Sequence, residues 1–182
     1  YLKLMRPARD LLRRRHRLVS IRSEAYSHIQ MVAHQYTIEG VGSADVKKKQ
    51  SQQELLAKFE SHKLTKLIET DLDIINALNP VIDSIEKEIQ LNAVHHNAQD
   101  LMILQTTPGI GDILSLVILY ETHDIKRFTK HQQYASYSRV VRSHQTSNGK
   151  IVGKKHNKMG NPYLKWAFNA IITYAQQRSE RL

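Results

Sequence analysis

Apolar residues recur with helical spacing along the first part of the chain. Leu11, Leu18, Ile21, Ala25, Ile29, Val32 and Tyr36 stand three, four or seven positions apart. That spacing predicts one long amphipathic helix over residues 7–36, with Pro7 tolerated in its first turn. Gly40 and Gly42 break the pattern, so residues 38–50 read as a loop with Lys47, Lys48 and Lys49 on its solvated edge. A short helix over 52–61 follows, turning Leu55, Leu56 and Phe59 inward. Over 64–97, Ile68, Ile75, Ile82 and Ile89 share one heptad position and Leu78 and Ile85 a second, which is the pattern of a coiled-coil seam. Pro80 lies inside it and is expected to kink the helix or shift its register. Two long amphipathic helices of this kind can pack on each other or on a second copy of the chain, and the second copy is the expected partner because a seam this long needs a partner surface.

The pattern changes at Thr106-Thr107-Pro108-Gly109-Ile110-Gly111-Asp112. Pro108 ends the preceding helix, Gly109 and Gly111 allow positive φ and close backbone approach, and the chain can re-enter a helix at Asp112. This is the pattern of a helix-hairpin-helix, whose small turn leaves room for a phosphate; an ordinary tight turn between two core helices satisfies the same residues. Residues 112–120 read as a buried helix, Phe128 as a cap on the core below it, and 131–137 as a short helix. Asn148-Gly149 is a hairpin signal between 140–145 and 150–154, two arms of a small ribbon. Asn161 should cap a helix starting at Pro162, with Leu164, Ala167, Phe168, Ile171, Ile172 and Ala175 on its buried face and Trp166 off that stripe. The expected fold is mainly α: coiled-coil helices over 1–99, then a small helical domain over 100–182 holding the helix-hairpin-helix and a short β-ribbon or loop.

Charge sharpens the picture. Residues 1–37 carry eight Lys and Arg against two acids, residues 38–121 seven against thirteen, and residues 122–182 twelve against two. Two basic ends around an acidic middle favour a polyanion-binding surface over a generic basic protein, with an acidic protein as the competing partner. Arg13, Arg14, Arg15, Arg17 and Arg22 would suit a phosphate backbone and equally suit a solvated helix flank. The absence of cysteine excludes disulfides and thiolate metal sites. No apolar run is long enough to cross a bilayer, so no membrane partner is expected. Glu69, Asp71 and Asp73 alternate around their helix and do not converge, and His95-His96 cannot chelate one ion from adjacent positions, so no metal site is assigned. The chain opens at Tyr1 already in helical pattern, which leads us to expect part of a longer protein.

Five runs carry a family resemblance: Thr107-Pro108-Gly109-Ile110-Gly111, Lys126-Arg127-Phe128, Tyr137-Ser138-Arg139-Val140-Val141, Ser147-Asn148-Gly149-Lys150, and Lys158 through Phe168. They resemble the C-terminal domain of transposases of insertion-sequence family one-ten, in its eleven-eleven branch. The Arg-rich stretch 9–22 with the loop 39–42 is similar to the segment that links the catalytic domains of that family. The resemblance implies a DNA strand-exchange enzyme whose upstream RuvC-like domain, absent from this chain, binds divalent metal (magnesium) through four acids. It implies no cofactor in this part of the protein, a covalent serine nucleophile matching Ser147, and a guiding noncoding RNA beside DNA as partner. Most family members have Gly and Pro near positions 139 and 142, where this chain has Arg139 and Arg142. The expected nucleic-acid-binding residues are Gly109, Gly111, Arg139, Arg142, Lys150, Lys154, Lys155, Lys158 and Asn161. Lys150, Lys154, Lys155 and Lys158 would neutralise phosphate oxygens. A homodimer or higher homo-oligomer acting in the cytoplasm is expected. The rival expectations are a non-enzymatic helix-hairpin-helix module that dimerises through its coiled coil, and an adaptor whose basic faces meet an acidic protein.

Overall fold

The structure is a computed structural model that describes residues 5–46, 49–141, 144–148, 150–154 and 159–179. It is mainly α. The elements are α1 (Arg6–Gln35), α2 (Lys49–Ala57), α3 (His62–Gln105), α4 (Asp112–Thr122), a 3₁₀ turn (Ile125–Arg127), α5 (His131–Tyr137), β1 (His144–Ser147), β2 (Lys150–Lys154) and α6 (Pro162–Ser179). They form two compact units, one of Arg14–Lys87 and one of Tyr1–Arg13 with Glu88–Leu182. The division between these units falls at residues 13/14 and 87/88.

In the unit Arg14–Lys87 the core joins Ala25, Ile29, Val32 and Ala33 of α1 to Ile68, Leu72 and Ile75 of α3, with Val46, Leu55 and Phe59 closing one end. Polar pairs line the same two helices. Arg15 Nε donates to Glu86 Oε1 at 2.6 Å and Arg22 Nη1 to Asn79 Oδ1 at 2.8 Å. These pairs lie seven residues apart on each helix and run in opposite senses, and a hydrogen bond of 2.6 Å between His28 Nδ1 and Asp71 Oδ2 continues the series. Within this unit the helices are an antiparallel pair. The stripe predicted to meet a second copy is thus covered by the chain's own α1: Ile68 and Ile75 are buried in this shared core. Periodicity identifies a face that must be covered; it does not say by what.

Pro80 leaves α3 continuous. It sits on the exposed side of the helix, where the backbone carbonyl left without a donor can be hydrated. The interruption falls instead at Asn97, with φ −164° and ψ 73°. Its Oδ1 accepts from the Asp100 N–H at 3.2 Å and its Nδ2 donates to Asp100 Oδ2 at 2.6 Å, so Asn97 recaps the last turns of the helix.

The unit holding the C-terminal residues is built on α4, whose residues Leu114–Tyr120 are all buried, as expected of a helix that is apolar on every side. It packs on α6, where Leu164 and Ala167 are buried. Ile172 departs from the predicted inward stripe and is 56% exposed. Between α4 and α6, Phe128, Tyr134 and Tyr137 gather into a ring cluster, Phe128 lying 5.2 Å from Tyr134 and 5.4 Å from Tyr137 by centroids. Tyr134 also meets Phe168 edge-on at 6.1 Å and shares a 2.8 Å hydrogen bond with the Thr122 hydroxyl. No helix among the described residues is long and apolar enough to cross a membrane.

Candidate nucleic-acid interface

The turn between α3 and α4 closes with a 3.1 Å hydrogen bond from the Ile110 N–H to the Thr107 carbonyl. Pro108 occupies its second position and Gly109, at φ +87°, its third, the arrangement of a type II turn. The two glycines then differ in role. A Cβ on Gly109 would sit 2.9 Å from the Ile171 carbonyl oxygen of α6, so this glycine lets the turn pack against its own domain. Gly111 caps α4 with extended backbone, and a Cβ there would meet nothing within 4 Å. Of the two, only Gly111 is open on the side where a Cβ would stand.

At the other end of α4, Glu121 is 2% exposed. Burying a carboxylate costs several kcal/mol unless it is paired, on the order of the desolvation of an ion. Arg13 supplies the pairing with two parallel bonds, Nε to Oε1 at 2.7 Å and Nη2 to Oε2 at 2.8 Å. That hydrogen bonding raises the Arg13 pKa and so secures its charge, and its guanidinium lies 4.8 Å over the Tyr163 ring. Asn161 Nδ2 donates to Glu121 Oε2 at 2.6 Å. The same Asn161 caps α6, its Oδ1 accepting from the Tyr163 N–H at 2.9 Å and the Leu164 N–H at 3.2 Å.

Asn161 also begins a clasp. Its backbone N–H donates to the Tyr137 carbonyl at 2.6 Å, and Arg139 Nε donates to the Met159 carbonyl at 3.0 Å. Gly160 makes that approach possible. It stands at φ +97°, and a Cβ on it would lie 2.5 Å from the Tyr137 carbonyl oxygen. The clasp brings together the two ends of the segment that carries β1 and β2. These strands pair antiparallel, with Ser147 opposite Lys150 and His144 opposite Lys154, and the register slips between Gln145 and Thr146. Asn148 takes φ +47°, the left-handed conformation that an Asn-Gly hairpin turn uses. The first arm begins at His144 rather than at residue 140.

Ser147 therefore ends β1 beside the turn, with Lys150 across from it and exposed. The side chains of Ser147 and Lys154 lie outside the described residues, as do Arg142, Lys155 and Lys158 entirely. Arg139 is half-buried and braces the clasp. Asn161, expected to touch nucleic acid, is 4% exposed with its amide committed to Glu121 and to the α6 cap, so its part is structural. At Gly109 the Ile171 carbonyl of α6 stands where a side chain would be, so this glycine serves the packing of the turn.

Residues 101–182 match the family model described as Transposase IS116/IS110/IS902 family. Over that stretch the chain is similar to this transposase family. The whole turn, clasp and ribbon lie inside the matched segment, and Arg13 reaches into it from α1. No curated protein matches the chain.

Three residues of the matched segment's scaffold escaped the sequence reading: Glu121, Arg13 as its partner, and Gly160. A lone acid at the end of an apolar run was the available signal for Glu121, since a charge there must find a counter-charge. Nothing local pointed to Arg13, which lies 108 residues away in sequence. Gly160 stands directly before the expected cap, and as a glycine it is free to take a positive φ there.

Proposed function

We propose that this chain is the part of a DNA transposase that presents a serine nucleophile to the nucleic-acid backbone, working in the cytoplasm with an acidic, metal-binding domain of the same protein. The observation that carries the reading is the clasped ribbon inside the family match, with Ser147 at the end of β1 and Lys150 opposite it. Tyr137, Arg139, Met159 and Asn161 tie together the two ends of the segment that carries the ribbon. A hydroxyl on such a mount can be delivered to a phosphate with its strand direction set.

In this scheme Ser147 Oγ attacks phosphorus, an oxygen–phosphorus bond forms, and the bond to one sugar oxygen breaks, with net transfer of the hydroxyl proton to the departing sugar oxygen. Lys150, with Arg142, Lys154, Lys155 and Lys158 along the same segment, supplies positive charge to the phosphate oxygens as negative charge builds on them. A divalent metal held by the acidic domain supplies polarisation of the scissile phosphate; no residue of this chain is assigned as its ligand. A guiding RNA would meet the same basic surface. The open face of Gly111 is a second backbone contact of the helix-hairpin-helix kind. It also favours the rival reading, a module that binds nucleic acid without reacting with it.

We place self-association on the outward side of α3. Leu67, Ile74 and Val81 stand seven residues apart there and are 41%, 39% and 47% exposed, a spacing that suits a facing helix of a second copy.

The test is adduct formation by the full-length protein on its element-end DNA with magnesium. Wild type should give a covalent protein–DNA species that survives denaturation, and Ser147→Ala should bind the DNA equally well and give none. An adduct formed by Ser147→Ala removes this residue from the chemistry; DNA binding with no adduct from wild type favours the binding module.

A further inference from the structure

The run Lys126-Arg127-Phe128 lies outside the ribbon and its clasp, yet Arg127 has an unusual setting. Its guanidinium carbon lies 4.6 Å from the centroid of the Phe128 ring and 4.6 Å from that of the Tyr137 ring. Two aromatic faces thus hold one exposed arginine in place. Among the described residues it makes no ion pair and no hydrogen bond, whereas Arg13 and Arg15 are each spent on a carboxylate. The nearest acid in sequence is already used: Asp124 Oδ1 accepts from the Lys126 N–H at 2.8 Å. Over residues 122–182 the only other acid is Glu180. Lys126 is exposed beside Arg127 on the same 3₁₀ turn.

Tyr137 gives the position its meaning. The residue whose ring holds Arg127 is the one whose carbonyl receives the Asn161 N–H, so the guanidinium stands beside the clasp that joins the ends of the ribbon-bearing segment. A guanidinium stacked on rings keeps its N–H edge for an anion in the ring plane, and ordering the side chain in advance lowers the entropy cost of binding. We infer that Arg127, with Lys126, is a phosphate-binding site for the backbone of a polynucleotide, continuing the cationic surface of the ribbon onto the body of the domain. The interaction is with backbone phosphate and does not read sequence. This deepens the function proposed above and rests on it.

The experiment measures affinity of the 182-residue chain for a duplex DNA and for an RNA hairpin, each of arbitrary sequence, across a salt series. Each cation removed from a duplex phosphate makes the slope of log affinity against log salt shallower by about 0.9. Arg127→Gln should therefore bind more weakly at every salt concentration with a slope about 0.9 shallower, and Lys126→Gln/Arg127→Gln with a slope shallower by about twice that. Arg127→Lys keeps the charge and should restore most of the slope, since it lacks only the flat stacked fork. A slope change with DNA, with RNA or with both supports the site and identifies its source. Melting temperatures accompany each variant, because Arg127 also touches two rings. A lowered melting temperature with an unchanged salt slope would make Arg127 a brace only and overturn the proposal, as would unchanged slopes in a stable Lys126→Gln/Arg127→Gln protein. If wild type binds neither polynucleotide, the proposed function itself falls; if it binds and only the slopes fail to move, this site alone falls.

Discussion

Single residues in this chain owe their identity to what stands opposite them. Gly109 and Gly111 look equivalent in the sequence, yet one faces the Ile171 carbonyl at 2.9 Å from its absent Cβ and the other faces open space. Gly109→Ala should cost on the order of 1–3 kcal/mol through strained φ and the clash, seen as a lowered midpoint in chemical denaturation. Gly111→Ser should leave stability within about 0.5 kcal/mol, since serine is an acceptable N-cap, while weakening DNA binding if the turn meets phosphate. The Arg13–Glu121 pair gives an asymmetric expectation. Arg13→Ala strands a carboxylate that is 2% exposed and should cost about 3–5 kcal/mol. Glu121→Gln strands a guanidinium that is 35% exposed and still stacked on Tyr163, so its cost should be smaller, about 1–3 kcal/mol. Equal losses in denaturant titrations would mean that Glu121 is not the buried charge around which the site is arranged.

At the scale of elements, local chemistry was the legible part. Asn161-Pro162 announces a capped helix start, Pro108-Gly109 announces a turn, and Asn148-Gly149 announces a hairpin, because each residue type fixes its own backbone. Packing between distant elements was not legible in that way. The Ile68 and Ile75 stripe correctly implied a covered face, but the cover is α1 of the same chain, visible only once Arg15–Glu86 and Arg22–Asn79 set the two helices antiparallel. Arg15 and Arg22, read as candidate phosphate ligands, are consumed in that pairing. Arg14 and Arg17 remain exposed on the same helix. The self-association proposed for the chain consequently moves to Leu67, Ile74 and Val81. Ile74→Glu/Val81→Glu should lower the sedimentation mass of a dimer to that of one chain without loss of helicity by circular dichroism. An unchanged mass in a folded protein would place any dimer contact elsewhere.

For the whole molecule, charge and architecture divide at different places. The acidic middle segment, residues 38–121, includes α2, all of α3 and all but the last residue of α4, and the strongly basic residues 122–182 include the 3₁₀ turn, α5, the ribbon and α6. The segment that carries β1 and β2 has its two ends tied together by Tyr137–Asn161 and Arg139–Met159. Gly109 and Asn161 share one feature: both are small or polar residues at element ends, where such residues serve packing and capping as readily as ligands. The central claim is that the serine on this pinned ribbon joins to DNA. The most direct measurement is to trap the covalent species formed by the full-length protein, digest both components, and find by mass spectrometry which residue carries the nucleotide remnant. The account predicts the remnant on Ser147; a remnant on any other residue contradicts it.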